Sequence, residues 1–130
     1  MKEFRAFLLS PIPASLLGGI VSWATGGHPR PLSVAVFYVL QLYAIQLLFG
    51  VAVRAVLLKA NRTSAMSFFF GGVVMTAIPS VPYLIWATGQ HPESSPKAIV
   101  VLALWLLYGG LTGLFYWRIS PQDAMATTTT

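Results

Sequence analysis

Leu32–Leu58, LSVAVFYVLQLYAIQLLFGVAVRAVLL, decides the fold class. These 27 residues carry a single charge, Arg54. As an α-helix rising about 1.5 Å per residue the run is about 40 Å long, more than the roughly 30 Å of a bilayer's hydrocarbon core. An apolar run of this length with so little charge reads as a membrane-spanning helix.

Three similar runs flank it, at Ala6–Thr25, Ala65–Thr88 and Ala98–Trp117. The connectors GGHPRP, KANRTS and GQHPESSPK hold the turn-forming and helix-breaking residues, and none is long enough for an extramembrane domain. Composition agrees. The chain is 56% hydrophobic and 8% charged, against roughly a quarter charged in a soluble domain. The expectation is an all-α membrane protein, one four-transmembrane-helix bundle over residues 1–130 with a flexible tail at 120–130. A basic leader (Lys2, Arg5) and a small-x-small triplet, Ser22-Trp23-Ala24, also fit a cleaved signal peptide. Pro11, Pro13 and Trp23 favour a retained helix with an interfacial Trp.

Orientation follows from the basic residues, which are retained on the cytoplasmic side of a membrane. Lys2, Arg5, Arg54, Lys59, Arg62 and Arg118 fall on one side, and Arg30 and Lys97 on the other. Both termini are therefore expected in the cytoplasm of a bacterial inner membrane. The net charge of +5 is spread over helix ends, which makes the lipid bilayer the anionic partner and argues against nucleic acid. The chain has no cysteine, which excludes disulfides, thiolate nucleophiles and cysteine-based metal sites.

The heptapeptide Trp23-Ala24-Thr25-Gly26-Gly27-His28-Pro29 returns, with one change, as Trp86-Ala87-Thr88-Gly89-Gln90-His91-Pro92. Two pseudo-repeated helical hairpins would produce this echo, and so would the same helix-exit chemistry used twice.

Lipid gives helices no hydrophobic reason to associate, so small residues mark the faces where backbones approach. Ser15 and Gly19 in the first helix, Gly71 in the third, and Gly109 and Gly113 in the fourth are the expected packing positions. In the second helix Tyr43, Gln46, Gly50 and Arg54 share an arc at 100° per residue, with Tyr38 and Gln41 nearly opposite. Polar residues on two faces suggest that this helix is central. Tyr43, Gln46 and Arg54 are candidate binding residues. Snorkelling of Arg54 to the head groups is the preferred account of its charge. Pro11, Pro13, Pro79 and Pro82 predict kinks.

Glu3, Glu93 and Asp123 all fall outside the four predicted spans, which removes the usual carboxylate for intramembrane proton chemistry. Small four-helix multidrug transporters are similar in length, but the Glu they need in the first helix has no counterpart in these spans. Dual-topology fluoride channels are similar in size, yet their pore asparagine is not matched by Asn61. His28 and His91 could meet at the outer surface, with Glu93 beside them, as a weak contact or metal site. A solvated turn is preferred, and no metal or cofactor is expected.

In format the chain resembles the small four-helix inner-membrane proteins of bacteria, with a basic leader, a Pro-bearing first helix and an aromatic fourth helix ending at Arg118. That resemblance carries no functional residue across. The expected role is non-enzymatic: contact with another membrane protein or toxin, as an immunity or accessory protein does, through the small-residue seams and the His-Pro loops. The alternative is a small ion or solute transporter or channel, working as a homo-oligomer.

Overall fold

A computed structural model describes residues 2–26, 30–90 and 95–120. Helices α1 (Lys2–Leu9) and α2 (Pro11–Ala24) form the first arm. Helix α3 (Pro31–Ile45), a π turn (Gln46–Gly50) and α4 (Val51–Lys59) form the second, and α5 (Ala65–Gln90) and α6 (Ser95–Ile119) the third and fourth. The described residues contain no strand. Four stretches are long and apolar enough to cross a membrane: Glu3–Ala24, Pro31–Lys59, Ala65–Gln90 and Pro96–Ile119. The loops carrying His28, His91 and Glu93, and the tail at 121–130, lie outside the described residues.

The arms run up and down. One end of the bundle, called here the near end, carries α1, the α4–α5 turn and the end of α6. α2 ends and α3 begins at the far end. α2 packs on α3 and α6, α5 on α6, and α4 on α5, whereas α3 and α5 barely touch.

Local chemistry sets the near-end turn. Asn61 takes a left-handed φ of 55°. Its N–H donates to the Leu58 carbonyl (3.1 Å) and the Arg62 N–H to that of Leu57 (2.9 Å), a Schellman closure of α4. Ser64 then starts α5, its Oγ accepting the Ser67 N–H at 3.2 Å. The indole Nε1 of Trp117 donates to the Thr63 carbonyl at 2.8 Å, tying the end of α6 to this turn.

The tightest packing is α5 on α6. A Cβ built on Gly72 would overlap the Gly109 carbonyl, and one on Gly113 would overlap the Phe68 carbonyl. Only glycine lets the two backbones come this close. Gly71 faces α4 instead, where its would-be Cβ lies 2.8 Å from the Leu57 Cδ1. Ser15 and Gly19 are buried on α2, and Gly19 lies against Pro31 and Ala35 of α3. Two apolar clusters complete the interior. Ala6, Phe68 and Tyr116 lie towards the near end, and Ala14, Leu42 and Tyr108 towards the middle.

One expectation is corrected. The most buried arm is the first, 39% of whose span window is buried, and the second is the least, at 17%. The small residues Pro11, Ala14, Ser15, Gly18 and Gly19 let neighbours close around the first arm, while α4 buries no residue at all. The prolines interrupt the first arm without ending it: Ser10 keeps helical φ and ψ of −62° and −35°, and its N–H bonds the Ala6 carbonyl at 3.0 Å. Ser10 separates α1 from α2, because Pro11 and Pro13 lack the N–H groups that would bond the carbonyls of Phe7 and Leu9.

Candidate functional site

That interruption at Ser10 organises the polar groups of the bundle. The Ser10 hydroxyl donates to the Phe7 carbonyl at 3.3 Å, replacing the bond Pro11 cannot make. The Tyr43 hydroxyl donates to the neighbouring Leu8 carbonyl. Gln46 Nε2 donates to Ser10 Oγ at 3.2 Å, and one turn past the π turn Arg54 Nη2 reaches Glu3 Oε1 at 2.7 Å. All three candidate residues of the second arm therefore bind the first.

This changes two expectations. Arg54 is held by a carboxylate and does not simply reach for head groups. Glu3, read from sequence as part of a leader, is the first residue of the first apolar span. Helix α1 starts at Lys2, which places Glu3 and Arg54 at the same depth. Both are partly exposed, so their pairing contributes about 0.2–1 kcal/mol. Ser10 and Glu3 were not singled out from sequence. A hydroxyl directly before Pro-x-Pro was the available signal for Ser10.

Gln46 begins the π turn, a local widening that often sits at functional positions. It is only 5% exposed, and its Oε1 has no hydrogen-bond partner. An orphaned buried carbonyl costs about 1–3 kcal/mol. Gln46 lines a near-end cavity of about 280 Å³ with Glu3, Arg54, Thr112, Gly113 and Tyr116.

A larger cavity of about 840 Å³ lies at the far end, where α3 and α5 diverge. Tyr38, Gln41, Tyr83, Trp105 and Tyr108 are among its walls. Tyr38 holds its ring 5.7 Å from that of Trp105 and 5.9 Å from that of Tyr108. Gly18 makes room for this cluster, since a Cβ there would lie 2.5 Å from the Tyr38 ring. The sequence placed Tyr38 and Gln41 opposite Tyr43 and Gln46 without showing what they faced.

Among the described residues no group of three His, Asp or Glu side chains could hold a metal ion. The near-end site offers hydrogen bonds and one ion pair, and the far-end site offers aromatic faces, hydroxyls and an amide. The small residues expected to meet a partner are already spent within the chain, at the α2–α3, α4–α5 and α5–α6 contacts. Fold and sites define the class: a four-helix chain with four membrane-length apolar helices and two cavities. No protein-family model, curated protein or solved structure matches the chain.

Proposed function

We propose that this is a multi-pass protein of a bacterial cytoplasmic membrane, with both ends inside, that works by contact with another membrane protein and does no chemistry itself. The observation that carries this is the second arm. Its Tyr43, Gln46 and Arg54 side chains turn inward to the first arm, while Phe37, Leu40, Leu47, Leu48 and Val51 are all more than half exposed. Water does not tolerate an apolar face of that extent, whereas lipid or a partner helix does. The best specific role is an immunity or accessory protein for a membrane-acting toxin or complex. The contact face is then α3–α4 and not the glycine seams.

The two-hairpin repeat belongs to the same proposal. Thr25 and Thr88 each donate to the carbonyl four residues back, Val21 and Leu84, both at 2.9 Å. Trp23 and Trp86 are 60% and 61% exposed. The backbones differ beyond this point, α2 stopping at Ala24 and α5 continuing to Gln90.

Crosslinking in native membranes tests the contact. A photo-reactive residue at Leu48 should capture one discrete partner and one at Leu16 should not. Uniform lipid adducts at Leu48, together with unchanged toxin sensitivity in the deletion strain, reject the proposal. The alternative, an oligomeric small-solute transporter or channel, is favoured by one observation. The two cavities sit towards opposite ends, separated along α5 between Met75 and Pro79 and along α6 between Tyr108 and Thr112. Solute flux into liposomes would decide for it.

A further inference from the structure

The geometry points to the far-end cavity as a binding site for a neutral, membrane-dissolved amphiphile whose flat ring carries carbonyl oxygens, a compound of the quinone class. This rests on the membrane placement proposed above and goes beyond the contact role.

Size comes first. A volume of about 840 Å³ lies within the usual 300–1,000 Å³ of small-molecule sites. It accommodates a ring head and several carbons of tail. Its walls supply aromatic faces from three helices: Tyr38 on α3, Tyr83 on α5, and Trp105 and Tyr108 on α6. Faces of this kind favour offset stacking on a flat ring.

Polar chemistry narrows the class. Tyr38, Gln41, Tyr83 and Tyr108 line the cavity, and their hydroxyls and amide make no hydrogen bond among the described residues. The contrast with Tyr43 is direct, since its hydroxyl is bonded to the Leu8 carbonyl. Each of these lining groups can donate into the cavity, which fits a ligand that brings carbonyl acceptors.

Among the described residues no charged side chain lines the cavity, which leaves no partner there for an ionic head group. Entry comes from the side. Tyr83 and Val101 belong to the wall and are 68% and 64% exposed, so the cavity reaches the outer surface of the bundle where α3 and α5 part. A molecule dissolved among lipid tails can reach it there.

The test uses the full chain in lipid nanodiscs, with ubiquinone-1 as probe and tryptophan fluorescence as readout. Quenching should saturate at one site per chain, and the saturable part should vanish in Trp105→Phe. Tyr108→Phe should weaken binding about 3- to 10-fold, the loss expected for one hydrogen bond. Ala44→Phe, which adds bulk at an exposed wall position, should weaken it more than 10-fold and keeps the test valid if Tyr108→Phe fails to fold.

Quenching that rises linearly with probe and is equal in Trp105→Phe means partitioning into lipid only, and overturns the site. So does quenching of Trp105 by brominated phosphatidylcholine that ubiquinone-1 does not relieve, because the occupant is then a phospholipid chain. Alkaline carbonate extraction of native membranes reports separately on membrane placement. A retained protein that fails to bind ubiquinone-1 refutes this inference and leaves the placement standing.

Discussion

Replacing Gly72 by Ala should, like Gly113→Ala, be among the most damaging single methyl additions in this chain. The new Cβ overlaps the Gly109 carbonyl and lies 3.1 Å from the Gly113 N, and backbone atoms cannot turn aside as a side chain can. Carbon contacts are optimal at about 3.5–4.0 Å, so α5 and α6 must part by about 1 Å. A gap of that size forfeits a quarter to a half of each dispersion contact along the seam. Overpacking of this kind costs about 1–3 kcal/mol, and the upper end is expected because the obstacle is backbone. Helix propensity returns up to about 1 kcal/mol in favour of Ala, leaving a net loss of about 1–2 kcal/mol.

Gly71→Ala meets only the Leu57 Cδ1 and the Val53 Cγ1, ends of side chains that can move, and should be within about 0.5 kcal/mol of wild type. Gly89 has nothing within 4 Å of its would-be Cβ, so Gly89→Ala should be neutral or slightly stabilising. Unfolding midpoints in mixed micelles of mild detergent and SDS measure all three. Equal midpoints for Gly72→Ala and Gly89→Ala would refute the reasoning.

Three further outcomes are expected. Ser10→Ala strips Gln46 of its partner and should cost about 1–2 kcal/mol, whereas Ser10→Ala with Gln46→Leu removes both polar groups and should recover most of it in the same titration. Glu3→Gln should cost less than about 1 kcal/mol, and exchange of the pair, Glu3→Arg with Arg54→Glu, should restore wild-type stability. A thiol at Gln90 should react with a membrane-impermeant maleimide on spheroplasts while a thiol at Ala60 should not. The reverse pattern would invert the proposed topology, and the chain's lack of native cysteine keeps the background clean.

The four apolar arms were legible because their signal is local: length and composition within one run of about 20 residues. The glycine spacing of α6 was legible for the same reason, since Gly109 and Gly113 fall one turn apart on one face. What the glycines meet was not. A sequence ranks Gly72 and Gly71 alike, but one faces the carbonyl of Gly109 and the other the end of Leu57.

The candidate residues divide in the same way. Tyr43, Gln46 and Arg54 stood out as polar groups in an apolar run, which is a property of the run. Their partners, at Leu8, Ser10 and Glu3, lie 35 to 51 residues away, and no periodicity links them. The prolines were visible, but their effect depended on which groups came close enough to take up the orphaned carbonyls.

Sequence by itself thus determined that the chain forms four long apolar helices, because burial of a helical backbone in an apolar medium is decided run by run. Only the tertiary structure decided that the first arm is the most buried, that Tyr43, Gln46 and Arg54 of the second arm are spent on it, and that α3 and α5 part to leave an aromatic cavity. Those outcomes depend on the close approach of backbones from distant parts of the chain, set by which small residue lies opposite which carbonyl.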